Sequence, residues 1–138
     1  VIAEEKHSKN VLFFPRVPYS EIGAILSLAD VLLVHLKDDP LFQITIPSKT
    51  QSYLAAGKPI LMAVRGDSAD LVTKSQAGFV CKPEDSEDIA EKVINLFELS
   101  SNNLEKLGQN GREYYEKELS MSMGTKHFID TFNTVIKK

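Results

Sequence analysis

Apolar residues along this chain follow two rhythms. Short continuous runs stand at Val11-Leu-Phe-Phe14, Val31-Leu-Leu-Val-His-Leu36, Ile60-Leu-Met-Ala-Val64 and Gly78-Phe-Val-Cys81. Such runs predict strands of a parallel sheet, and the near-continuous apolar character of 31–36 predicts a strand covered on both faces. Between the runs, apolar positions recur at helical spacing. Ile22, Ile25, Leu26 and Ala29 share one face of a helix after Pro18. Ile89, Val93, Leu96 and Phe97 repeat the pattern behind Asp85, a residue suited to an N-cap. Leu104, Leu107 and Gly111 open a helix ending near Leu119, and Phe128, Phe132, Val135 and Ile136 mark a last one. This alternation predicts an α/β fold: a Rossmann-like parallel sheet with helices on both faces, right-handed crossovers and C-terminal helices. No linker, internal repeat or low-complexity tract interrupts it, so residues 1–138 are expected to form a single domain.

In open α/β sheets, ligands bind beyond the carboxyl ends of the strands. That singles out the loops at 15–20, 37–49 and 65–68. The second runs into Ile44-Thr-Ile-Pro-Ser-Lys-Thr-Gln-Ser-Tyr-Leu-Ala-Ala-Gly-Lys-Pro-Ile60. Ser48 and Gln51 have the spacing of a capping box. Gly57 stands where a left-handed C-cap belongs, and Pro59 stops the helix. A short helix over 49–56 is expected, its N-terminus at the ligand edge, where unpaired N–H groups and the positive dipole end gather. Lys49 adds a cation there, which the dipole disfavours by roughly 0.3–1 kcal/mol. A bound anion such as a diphosphate would account for it. A plain capping box beside a solvated lysine accounts for the same residues without a ligand.

Composition narrows the classes. The chain has 138 residues and a mass of 15.4 kDa. Size scaling gives about 7,000 Å² of folded surface, with about two-thirds of the unfolded surface buried. A net charge of −3 does not support a nucleic-acid-binding face. The single cysteine, Cys81, excludes an internal disulfide framework and a Cys-rich zinc site, and is expected to be a buried strand residue. No apolar run approaches the roughly 18 residues of a membrane span. The chain starts at Val1 without a signal-peptide pattern, and is expected to be a piece of a longer protein. His7, His35 and His127 show no ligand spacing; His35, ending an apolar run, is expected to be a core histidine, although its place leaves a contact with a ligand open. Asp38 and Asp39 are expected to be structural or solvated, Gly66 to permit a tight turn, Asp67 to cap the next helix, and Tyr114 and Tyr115 to pack. Neither a metal site nor a cofactor is expected.

The blocks Phe13-Phe-Pro-Arg-Val-Pro18, Leu28-Ala-Asp-Val-Leu-Leu-Val34, Ile44 to Ser52 and Ala55-Ala-Gly-Lys-Pro59, in that order, resemble the C-terminal half of a family 4 retaining glycosyltransferase of GT-B fold. The nearest likeness is to bacterial enzymes of capsule, O-antigen and colanic-acid assembly, including N-acetylfucosaminyl-transferase-like members. The resemblance covers residues 10–118. It implies a nucleotide-sugar donor, UDP-linked rather than GDP-linked, bound mainly by this half. The acceptor would be bound by a missing N-terminal domain, with retention at the anomeric carbon and no essential metal. It implies a cytoplasmic place, peripheral at the inner face of the plasma membrane through the missing half. Arg16, Val17 and Pro18 would lie near the base, and Lys37 would face the phosphates or the sugar. Thr45, Ile46, Ser48 and Lys49 would meet the diphosphate, with Gln51 and Ser52 toward the ribose. A six-stranded sheet lacking its first two strands is also implied, leaving 31–36 as an exposed edge. That edge is expected either to pair with a second copy or to be covered by 11–14.

Two departures stand out. The family's paired glutamates fall, counted back from Gly57, on Ile44 and Ser52. A serine hydroxyl cannot accept two hydroxyls of a ribose as a carboxylate can. Arg16 fits a surface pair with Glu21 as well as a phosphate contact, and Lys37 fits a solvated place beside Asp38 and Asp39. No nucleophile is evident on this half, so the residues that carry the chemistry stay unassigned. Two other functions remain open: a non-catalytic Rossmann-like binding or assembly module, and a sugar-nucleotide epimerase, which would need carboxylates such as Asp38, Asp39 or Asp67 in the site.

Overall fold

The computed structural model describes residues 10–136. Among these the order is α1 (Tyr19–Ser27), β1 (Leu32–His35), α2 (Pro40–Gln43), α3 (Ser48–Ala56), β2 (Ile60–Ala63), α4 (Asp67–Ser75), β3 (Gly78–Val80), α5 (Ser86–Phe97), α6 (Ser101–Tyr114), a π-helical turn (Tyr115–Leu119) and α7 (Met121–Ile136). The strands pair in parallel in the order β1-β2-β3, with Leu32 opposite Ile60 and Ile60 opposite Gly78. Every residue of β2 is apolar and buried, which is why it takes the centre. Ile60 and Met62 face a core shared with Val34, Leu54 and Val72, built on α3 and α4. Leu61 and Ala63 face the other way, toward Cys81 and Leu96, with Leu104 and Leu107 of α6 packed against them. The mixed α/β sandwich with helices on both faces is the expected one. Asp85 caps α5, its Oδ1 accepting from the Asp88 N–H at 3.0 Å, and Tyr114 and Tyr115 pack on the core.

Four expectations need correction. Val11 to Phe14 forms no strand and does not pair with β1; Leu12 is 74% and Phe14 80% exposed. A strand needs a neighbour for its backbone groups, and 11–14 makes no backbone hydrogen bond to a strand among the described residues. β1 is not covered on both faces: Leu32 and Val34 are buried, Leu33 and His35 are exposed. His35 is thus no core histidine, and its Nε2 accepts from the Glu84 N–H at 3.3 Å. Asp67 does not cap α4. Gly66 holds the N-cap position without a side-chain bond, and Asp67 is the first helical residue.

The accessible surface of 10154 Å² exceeds the roughly 7,000 Å² of a compact chain this size. Part of the excess is apolar. On α7, Phe128 and Phe132 form a tilted pair with centroids 5.5 Å apart yet stay more than half exposed. No helix among the described residues is long and apolar enough to cross a membrane.

Candidate functional site

The loop between β1 and α3 is partly helical. Asp39 caps α2 through Oδ1, which accepts from the Leu41 N–H at 2.9 Å, and Pro40 follows at the first helical position. The chain then reaches α3 through Thr45, Ile46 and Pro47. Thr45 donates its hydroxyl to the Leu41 carbonyl at 2.7 Å and accepts from Ser68 Oγ at its own carbonyl, 3.3 Å away. That bond ties the approach to the start of α4.

Pro47 is the N-cap of α3, at φ −59 and ψ 137. Its ring fixes that torsion, so Ser48 becomes the first helical residue rather than the cap. An N-cap side chain reaches the N–H two or three residues on, and Ser48 stands one place too late. The expected capping box of Ser48 and Gln51 is therefore not formed, and no side chain caps α3. The far end is as expected: Gly57 is left-handed at φ 67, and its N–H bonds the Leu54 carbonyl at 3.0 Å. Thr50 and Leu54 point inward, whereas Lys49, Gln51 and Ser52 are exposed.

Beside this uncapped end lies an open groove of about 610 Å³. Ser48, Gln51, Ser52, Ala55 and Ala56 line one wall, α1 lines the other with Tyr19, Ile22, Gly23, Leu26 and Ser27, and Tyr115 reaches in from the π-helical turn. The groove thus unites three of the expected site residues: Ser48, Gln51 and Ser52. Arg16, Val17, Pro18, Lys37, Thr45, Ile46 and Lys49 are not in its lining. Pro18 is the N-cap of α1, and Arg16 is exposed ahead of it. Lys37 and Lys49 are exposed, and neither they nor Arg16 enters an ion pair among the described residues, so the Arg16–Glu21 pair is not formed. Asp38 is structural, as expected, holding Arg65 Nε at 3.0 Å. His7 lies outside the described residues.

Tyr19 and Tyr115 were not foreseen in the groove. Tyr115 reads as packing, which it also does, and nothing in the spacing of the two tyrosines joins them. The groove offers hydroxyls, an amide and aromatic faces, with unshared helix N–H groups and a cation close in sequence. That set can hold a polar, anionic ligand by its phosphates and an aromatic ring by stacking. It supplies no activated nucleophile. Burial, reinforced by the nearby Asp88 carboxylate, pushes the Cys81 thiol up and keeps it protonated at neutral pH.

Comparison with known proteins gives a consistent picture. The family described as Glycosyl transferases group 1 matches residues 1–114. A probable glycosyltransferase of Pseudomonas aeruginosa, WbjE, is 29% identical over 123 residues, which is 84% of this chain and 30% of that protein. The solved sucrose-phosphate synthase from Thermosynechococcus elongatus superposes with a TM-score of 0.81 at 17% identity, covering 99% of this chain and 33% of that one. The chain therefore spans about one-third of each.

Proposed function

This chain belongs to the glycosyl transferases group 1 family, and we propose that it is the donor-binding half of a retaining, hexosyl-type enzyme. The donor is a nucleotide-sugar, UDP-linked rather than GDP-linked, and the acceptor is a growing polysaccharide or a lipid-linked sugar. The likeness to WbjE supports glycosyl transfer in the parent protein. One observation carries the choice of site: the N-terminus of α3, uncapped by any side chain, opens beside the α1–α3 groove with Lys49 in its first turn. In this reading the diphosphate takes the free N–H groups at Ser48 and Lys49. The ribose lies along Gln51 and Ser52, and the base lies toward Arg16, Val17 and Pro18. As the bond to the sugar breaks, negative charge grows on the leaving diphosphate. Fixed dipoles and a cation already in place stabilise it without reorganisation. Lys37, Thr45 and Ile46 stand on the approach, toward the phosphates or the sugar. Acceptor contacts and proton transfer fall to the remainder of the parent, so this chain alone transfers no sugar. The place of action is the cytoplasm, at the inner face of the plasma membrane.

Lys49→Ala is expected to weaken UDP binding by about 1–3 kcal/mol and to leave uridine binding nearly unchanged. It should also flatten the salt dependence. Titrations of both ligands followed by NMR or calorimetry measure this. Equal losses for nucleoside and diphosphate would assign Lys49 a structural role. A second reading, a non-catalytic module, is favoured by Ile44 and Ser52 standing where the family carries glutamates. Absence of any response to UDP or GDP selects it.

Ser52 gives an independent check. Its hydroxyl donates to the Ser48 carbonyl at 3.3 Å, and the residue is exposed on the groove wall. Ser52→Glu is expected to change stability by no more than about 0.5 kcal/mol and to retain or tighten UDP binding. A mutant that unfolds would place position 52 against a dry core, where an unpaired carboxylate is very costly.

A further inference from the structure

The loops after β1, β2 and β3 leave the same edge of the sheet, and a run of hydrogen bonds through Glu84 and Asp38 links them. Glu84, in the turn after buried Pro83, has φ 59. Among described non-glycine residues only Gln76 shares a positive φ, and Gln76 closes a helix. A turn residue that follows proline at positive φ is commonly glycine or asparagine, because a Cβ disfavours the left-handed well. Glu84 is held there by two long-range bonds. Its N–H donates to His35 Nε2 at 3.3 Å, and its Oε2 accepts from the Asp38 N–H at 2.8 Å. Asp38 in turn accepts from Arg65 Nε at 3.0 Å. The run Arg65, Asp38, Glu84, His35 crosses the carboxyl ends of all three strands.

We propose that Glu84 is a positioning residue: its carboxylate clamps the Lys37–Asp39 loop, on the approach of the chain to α3, at the expense of its own backbone conformation. The proposal rests on the α3 site described above and extends it to a residue outside the groove. The clamped loop carries Lys37, and Asp39 at its end caps α2, which leads into α3. Holding Asp38 thus sets the approach to the diphosphate. A carboxylate near an anion site is electrostatically adverse to the ligand. Its bond to an N–H, rather than to a cation, gives it a geometric task that a neutral acceptor could share.

That distinction supplies the test. Glu84→Gly removes the clamp and relieves the backbone, while Glu84→Gln retains an acceptor oxygen. Three quantities are read on the whole chain: melting temperature, exchange of the Asp38 amide, and affinities for UDP and uridine. For Glu84→Gly the melting temperature should hold or rise. The Asp38 amide should exchange about tenfold faster, and UDP should bind about three- to tenfold more weakly with uridine unchanged. Glu84→Gln should restore both exchange and affinity. A merely structural role would lower stability and affinity together. Unchanged exchange in Glu84→Gly overturns the proposal, as does faster exchange with unaltered UDP affinity, or a loss shared by uridine. Failure of the α3 site itself looks different. The unsubstituted chain then gives no response to UDP, and the clamp, whatever its exchange shows, positions no donor.

Discussion

Gly66→Ala is expected to destabilise the chain by about 3 kcal/mol or more, lowering Tm by roughly 10 °C or more. Two independent costs meet at this residue. Its backbone sits at φ 75 and ψ −144, a region almost closed to residues with a Cβ. A Cβ built there would also lie 2.0 Å from the Gln43 carbonyl oxygen and 2.7 Å from its carbon. Those are main-chain atoms at the end of α2, so no rotamer change relieves the clash. Gln43 could retreat only by carrying Ile44 to Pro47 with it, and that segment sets the N-terminus of α3. The surviving folded fraction should therefore also lose UDP affinity. Gly23→Ala is the control. Gly23 lies inside α1 with nothing within 4 Å of an added Cβ, so alanine should be neutral or stabilise by up to about 1 kcal/mol. Thermal melts of the two variants decide. A Gly66→Ala melt within a couple of degrees of the parent would show that the α2–α4 junction is slack.

What the sequence made readable follows from how local each signal is. β2 was readable because an apolar run bounded by Gly57-Lys-Pro59 has only one good place in a small α/β fold, the middle. The end of α3 was readable because left-handed Gly57 and Pro59 act within a few residues. Its beginning was misread by one place. Pro47 supplies the N-cap torsion through its ring, and that shifts Ser48 into the helix. Asp67 was misread for a similar reason, with Gly66 taking the cap position. The short helix α2 was missed although Asp39-Pro40 carries the signal of an N-cap followed by a first-turn proline. Val11 to Phe14 has the composition of a strand, but pairing is a property of two segments, and among the described residues 11–14 does not take the free edge of β1. The α1–α3 groove depends on Tyr19 and Tyr115, and no local rule brings such distant residues together. The clamp at Glu84 likewise joins residues 46 and 49 positions apart.

The 138-residue chain by itself is expected to self-associate through β1 and to show no sugar transfer. Among the described residues β1 pairs on one side only, with β2. Its other edge presents unpaired backbone groups, and Leu33 on its uncovered face is 47% exposed. The segment 11–14 was the candidate to cover that edge from within the chain, and it does not pair there, with Phe13 59% and Phe14 80% exposed. An uncovered apolar edge is a template for pairing with another strand, and a second copy supplies one. Sedimentation velocity over a concentration series should show dimers or larger species at tens of micromolar. Leu33→Lys places a charge on the edge strand, a change that blocks edge pairing. It should shift the distribution to monomer while altering stability by no more than about 0.5 kcal/mol. Transfer requires acceptor contacts, and the chain corresponds to only 30% of the length of WbjE. A radiolabelled-donor assay on the monomeric Leu33→Lys variant should therefore give no product. A dilute, stable monomer of the unsubstituted chain that transfers sugar would show that β1 needs no partner and that these residues carry the whole reaction.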